Sequence, residues 1–234
     1  MIDHRPYAAL GGHDLGWLQA RLHVAIGGMG RPEHGAIGPL RAWNDDTFAP
    51  HTGFGMHGHR DVEIVTYVRQ GAVTHEDSLG NRTTVAAGDV QAMRAGSGIR
   101  HSERNDGDVP LLLYQIWLRP RTTGGAPSWS TRRFPSAERA GALAVLASGD
   151  ARDVDALPID ADARLLGATL RAGDVIEHRL PPGHGAYLVT TAGRVTINGV
   201  TLAARDGIGV VDEAVVTIAA LEDTEIVLAE LLQD

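Results

Sequence analysis

The sequence predicts an all-β protein made of two tandem jelly-roll-like β-barrels. Three observations carry this. Glycine (29) and proline (11) are spread as punctuation between short runs rich in Val, Ile, Leu and Thr. Helical periodicity is scarce, with Ser136 to Ala142 the best short candidate. A weak internal repeat relates the two halves. The first half reads Arg69-Gln70-Gly71, Ala72-Val73-Thr74, then Thr84-Val85-Ala86-Ala87-Gly88-Asp89. The second reads Leu188-Val189-Thr190, Ala192-Gly193, Arg194-Val195-Thr196, then Thr201-Leu202-Ala203-Ala204-Arg205-Asp206. Two copies of one barrel unit account for that self-similarity.

In chain order, the first half offers strands at Val62 to Val68, Ala72 to His75, Thr83 to Val85, Val90 to Arg94 and Leu111 to Leu118. The second offers Leu143 to Leu146, Ala163 to Leu170, Val175 to Leu180, Ala186 to Thr190, Arg194 to Ile197, Val215 to Ala219 and Glu225 to Glu230. Turn chemistry separates them at Leu79-Gly80-Asn81, Ala87-Gly88-Asp89, Pro181-Pro182-Gly183, Asn198-Gly199 and Arg205-Asp206-Gly207. Asn44, Asp45 and Asp46 read as a further turn. The polar, Gly- and Pro-bearing stretch from Arg119 to Ser136 reads as the junction, so the expected domains are 1–125 and 126–234.

Composition narrows the function. Lys and Arg total 21 against 29 for Asp and Glu, a formal charge of −8, and no basic block is dense enough to follow a phosphate backbone. Direct nucleic-acid binding is therefore not expected. The absence of cysteine removes disulfides, thiolate ligands and a thiol nucleophile. No stretch approaches the roughly 18 apolar residues of a membrane span, and the N-terminus has no apolar signal core. A cytoplasmic, monomeric protein without membrane contact is expected.

Chemistry is concentrated in two short dyads, His57-Gly58-His59 and His101-Ser102-Glu103. Residues two apart on a strand share a face, so each dyad presents both members to one point. On neighbouring strands of a rolled sheet, three imidazoles and one carboxylate would converge as a mononuclear metal centre. Such N and O donors suit Fe(II), Mn(II), Co(II), Ni(II) or Cu(II) and tolerate Zn(II). A six-coordinate ion would keep two open positions for water, substrate or oxygen. Glu63 follows on the same parity as the first two histidines, where it can ligate, orient a bound water or deprotonate a substrate hydroxyl. His4, His13, His23, His34, His51, His75, His178 and His184 are read as surface or core residues, His75 as a cross-strand polar residue. Phe54, Met56 and Met93 are read as core or pocket wall, Tyr114 and Trp117 as barrel packing, and Arg100 and Arg104 as surface.

The stretches Trp43-Asn44-Asp45-Asp46, Gly53 through Val68, His75-Glu76-Asp77-Ser78-Leu79-Gly80-Asn81, Ala95-Gly96-Ser97-Gly98-Ile99-Arg100-His101-Ser102-Glu103 and Leu113-Tyr114-Gln115-Ile116-Trp117 resemble the pirin family of bicupins. The resemblance covers about the first half of the chain, and the second half matches in general cupin character. It implies two cupin barrels and one mononuclear metal, usually iron, held in the N-terminal barrel by His57, His59, His101 and Glu103. Glu63 is then left beside the ligands as the candidate catalytic carboxylate. The positions corresponding to His57 and His59 fall near Gly185 in the second half, and the second dyad falls near Ala219-Ala220, so that barrel is expected to be metal-free. Two departures stand out: Gly58 where the family commonly has proline, and His23 to Gly30 in place of an aromatic-rich run.

The activity that the resemblance implies is dioxygenolytic ring cleavage of a flavonol such as quercetin, with a small aromatic substrate and O2 as partners. The alternative is a metal-bearing, redox-responsive regulatory protein that binds a partner protein without turnover. Isomerase or hydrolase chemistry on another small molecule is a third reading.

Overall fold

The computed structural model describes residues 1–233. In chain order the first strands are β1 (Ile2–Arg5), β2 (Gly11–Asp14), β3 (Leu18–Val24), β4 (Leu40–Phe48), β5 (Thr52–His59), β6 (Glu63–Gln70), β7 (Ala72–Asp77), β8 (Arg82–Ala86), β9 (Asp89–Arg94), β10 (Ile99–Asn105), β11 (Leu111–Leu118) and β12 (Ser128–Arg133). There follow β13 (Ala144–Ser148), β14 (Leu157–Pro158), β15 (Ala163–Leu170), β16 (Val175–Arg179), β17 (His184–Ala192), β18 (Val195–Ile197), β19 (Val200–Leu202), β20 (Gly207–Val210), β21 (Val215–Ala220) and β22 (Thr224–Leu232). The helix expected at Ser136 to Ala142 is a single 3-10 turn, Ser136–Arg139, entered through Pro135. No helix among the described residues is long and apolar enough to cross a membrane.

Each half is a cupin-type jelly roll in which a seven-stranded sheet faces a four-stranded one. The first pairs β12-β9-β6-β11-β4-β3-β2 with β5-β10-β7-β8, the second β1-β20-β17-β22-β15-β13-β14 with β16-β21-β18-β19. The sheets remain open sandwiches rather than closing as barrels. The two seven-stranded sheets stand back to back, because Val65, Tyr67, Tyr114 and Ile116 of the first share one core with Leu165, Tyr187, Val189 and Val227 of the second. This layering explains the burial patterns. Strands of the seven-stranded sheets are covered on both faces, so β6 and β17 are buried almost continuously. Strands of the outer sheets have one wet face, and β10 and β16 alternate.

Two of the pairings tie a unit to chain outside its main span. The N-terminal β1 pairs with β20 in the second unit, Ile2 opposite Val210. Strand β12, within the stretch read as a junction, pairs with β9, Ser128 opposite Arg94. The second unit is thus completed by the N-terminal strand β1 and the first by β12, so strand pairing as well as packing ties the two together.

The Asn44-Asp45-Asp46 turn expected from composition is instead the middle of β4, a central strand. Two-sided burial overrides local turn chemistry there. Trp43 and Asp45 point toward the second unit, where Trp43 meets Tyr187 with ring centroids 5.4 Å apart. Asp45, fully buried, takes a bidentate pair from Arg205, Nε and Nη2 each at 2.8 Å, and a further hydrogen bond from Arg69. Tyr114 likewise packs between the units rather than inside the first one.

Candidate metal centre

Strands β5 and β10 run antiparallel, with His57 opposite His101 and His59 opposite Ile99. The register shifts between His101 and Glu103, because Phe54, not Gly55, stands opposite Glu103. The extra residue is a β-bulge in β5. Its effect is that Phe54 and His57, three apart, both line the interior cavity while Met56 is exposed. The Gly-rich approach supplies the freedom for that kink. A Cβ on Gly58 would meet nothing closer than 3.8 Å, so the position is not held to glycine by crowding.

The three imidazoles converge. Ring centroids lie 4.5 Å apart for His57 and His101, 4.9 Å for His57 and His59, and 5.0 Å for His59 and His101. Their available nitrogens lie within 4.8 Å of one another, a separation that small side-chain rotations close around one ion. His57 Nδ1 is 2.8 Å from the Gly55 carbonyl, which fixes that nitrogen as donor and leaves Nε2 with the lone pair. Burial lowers His59 to about 4 and His101 to about 3, so both rings are neutral near pH 7. Both nitrogens of His101, 1% exposed, lack any hydrogen-bond partner. Buried ring nitrogens left without partners are costly unless something ligates them, so these residues fit a bound metal.

Glu103 is equally buried, and burial raises its pKa. Its Oε1 accepts from Gln91 Nε2 at 2.8 Å and its Oε2 from Gln115 Nε2 at 2.5 Å. Gln115 is fixed in turn by Trp117 Nε1, 3.0 Å from its Oε1, and Trp117 stands edge-on to His59. Trp117 is therefore cavity wall rather than core. In this arrangement Glu103 groups with His101 and His75, and the three β5/β10 histidines form a separate triad, with His101 common to both.

Glu63 is not brought to the histidines. Asp61, at φ 52°, takes the chain through the left-handed region between β5 and β6, and the parity counted from His59 is lost. Thr66 of β6 reaches toward Glu103, whereas Glu63, Val65 and Tyr67 face the second unit. Glu63 Oε2 accepts from the Asp160 amide at 3.1 Å, and Arg94 Nε lies 3.6 Å from Oε1. Burial pushes Glu63 up to about 7 from its ordinary 4.5, against the pull of that amide and of Arg94. A carboxyl whose pKa is higher in the folded state contributes stability that is full below about 4.5 and lost as pH rises to about 7. Glu63→Gln is expected to remove that fall, gaining on the order of 2 kcal/mol over wild type between pH 5 and pH 8 in denaturant titrations. A wild-type and variant difference that stays constant across this window would refute the assignment.

His57 and His59, with Glu103, floor a cavity of about 470 Å³ whose walls include Leu18, Ala20, Ala42, Phe54 and Trp117. This size falls within the range of about 300–1,000 Å³ typical of small-molecule sites. Ile26 and Met29, bridged across a tight turn, lie at its rim. The segment that departs from the family's aromatic-rich run thus lines the cavity.

Four polar groups there escaped sequence reasoning: His13, Asn44, Asp46 and Gln115. Asp46 is 3% exposed and its Oδ1 has no partner. Burial, reinforced by the charges of Asp45 and Glu103, holds it well above the ordinary carboxylate range, which favours the neutral, proton-donating form. The signal was available, since Ala42, Asn44 and Asp46 share the two-residue parity that singled out the histidine dyads. A second cavity of similar volume lies beside the second unit, but its ionic groups are matched to one another, Arg152 with Asp150 and Arg121 with Asp162.

Comparison with known proteins agrees with this geometry. The family model described as Pirin matches residues 13–118, and that described as quercetinase C-terminal cupin domain matches residues 145–231. A pirin-like protein of Caulobacter vibrioides is 53% identical over 98% of this chain and 99% of its own. A protein of Escherichia coli (strain K12) named quercetin 2,3-dioxygenase is 38% identical over 99% of both chains. Among solved structures, bacterial pirin YhhW from Escherichia coli in complex with nickel(II) superposes with a TM-score of 0.93 at 36% identity, covering 100% of both chains.

Proposed function

The chain belongs to the pirin family, and from that premise we propose that it is a metal-dependent oxygenase opening a flavonol such as quercetin by dioxygenolytic ring cleavage. The observation that carries this reading is His101, with two buried, unpartnered nitrogens, packed against His57 and His59, which line an apolar cavity. His57, His59, His101 and Glu103 would hold one divalent ion, Fe(II) on the family resemblance. Ni(II), Co(II), Mn(II), Cu(II) and Zn(II) are also compatible with these donors. The substrate class follows the names of relatives such as the Escherichia coli protein.

The ion, when bound, supplies a Lewis acid for a substrate hydroxyl and a route for electrons toward dioxygen. The protein's own groups do the rest. Phe54 and Trp117 offer faces against which a flat aromatic ring can lie, and the aliphatic walls exclude water from it. Gln91 and Gln115 hold the Glu103 carboxylate in place by donating to its two oxygens. Asp46, neutral and with a free Oδ1, donates a hydrogen bond to an oxygen of the bound ring.

The test is oxygen consumption and product formation with a flavonol panel, on protein of measured metal content. Metal-dependent turnover is expected, and stoichiometric metal with no turnover on any flavonol would overturn the assignment. Asp46→Ala is expected to lower kcat/KM about tenfold, the loss of one buried hydrogen bond, with metal content unchanged. Unaltered kinetics in that variant would remove Asp46 from the substrate contacts.

A further inference from the structure

His75 is a buried imidazole that the centre described above leaves unused. It is fully buried, Nε2 lies 3.0 Å from Asp77 Oδ2, and Nδ1 has no partner. Asp77 is itself anchored by the Asn81 amide and by the backbone N–H groups of Leu79 and Asn81, so the carboxylate cannot swing away from the ring. On its flat side His75 stacks on Trp129, centroids 4.8 Å apart and planes 13° from parallel. A histidine with one nitrogen held by an oriented carboxylate, the other free and the ring clamped is equipped as a metal ligand. What sets His75 apart is that its free nitrogen lies with donor atoms of His101 and Glu103 rather than against apolar core.

Its neighbours complete a site. Strand β7 pairs with β10 so that His75 stands opposite Glu103, and available donor atoms of His75, His101 and Glu103 all lie within 4.8 Å of one another. Two histidines and one carboxylate are a donor set that divalent transition metals accept with positions to spare. All three residues are at most 1% exposed, whereas His57 and His59 of the outer triad are half-buried at the cavity.

We propose that the centre has a second, inner seat for a divalent transition metal, made by His75, His101 and Glu103, with His75 as a ligand in its own right. His101 is common to both seats, so one ion occupies the centre at a time, and its position is decided by which donors complete the set. The inference rests on the metal-centre part of the functional reading and is independent of flavonol turnover.

The experiment uses the full chain, stripped of metal and titrated with Co(II) by equilibrium dialysis and visible spectroscopy. The His57→Ala, His59→Ala double variant is expected to retain one Co(II) with an altered spectrum. Adding His75→Gln, which keeps size and hydrogen bonding to Asp77, is expected to weaken that binding at least about tenfold. A double variant that binds no Co(II) while wild type does, or binding indifferent to His75→Gln, would overturn the proposal. A second readout needs no further substitution: in the Co(II)-loaded double variant the His75 ring resonances are expected to be strongly hyperfine-shifted, and unshifted signals would overturn the inner seat. Failure of wild type to bind Co(II) would remove the metal centre itself, an outcome distinct from the absence of flavonol activity.

Discussion

Replacing His101 with alanine is expected to abolish metal binding, whereas removing His57 or His59 alone only weakens it. His101 belongs to both triads, and neither of its nitrogens has another partner. Loss of one outer histidine leaves the remaining donors close to the ion, at an expected cost of about 10- to 100-fold in affinity. Loss of His101 removes the donor common to every arrangement, and the expected cost is about 1,000-fold or more. The consequence is measurable as linked stability. A ligand at 100 times its dissociation constant stabilises the folded state by about 2.7 kcal/mol. In a chain of this size that corresponds to roughly 5–10 °C in Tm. Wild-type protein should therefore show a metal-dependent rise in Tm by scanning calorimetry, and His101→Ala should show none. A variant whose Tm still climbs with added metal would mean that the ion sits elsewhere.

Asp45→Ala is expected to be the most destabilising single substitution at the contact between the two units, by about 3–5 kcal/mol. Asp45 is 0% exposed and answers two guanidinium groups, Arg69 from its own sheet and Arg205 from the second unit. Removing the carboxylate strands Arg69, 8% exposed, as an unpaired buried charge stacked over Tyr114. Arg205→Ala should cost less, because that side chain is 27% exposed and Asp45 keeps Arg69. The ordering of the two midpoints in a urea titration is the check. Equal costs would show that the bidentate Arg205 pair, not the buried charge, dominates. Asp45 neighbours Asp46 and raises its pKa, so the same substitution should also make Asp46 a stronger acid within the cavity.

The parts of the site legible in the sequence were those set by strand parity over two residues. His57 with His59, and His101 with Glu103, each lie within one strand, and their shared face needs no knowledge of neighbours. The carboxylate at Glu63 was misplaced because parity was carried across a break, and a single residue at positive φ, Asp61, reverses which face follows. Asn44 and Asp46 were misread for the opposite reason. Their side chains have strong local turn chemistry, but a central strand between two packed layers imposed its own geometry and turned them into cavity wall.

By itself the sequence determined the all-β class, most strand positions after residue 62, the duplication and the histidine dyads, all consequences of short-range periodicity and turn residues. Only the tertiary structure decided that the units stand sheet against sheet with Asp45 clasped between them, that a bulge puts Phe54 beside His57, and that His75 lies against His101 and Glu103. These relations depend on register between strands distant in the chain. Register is selected by burying the whole apolar set at once, so no local segment contains it.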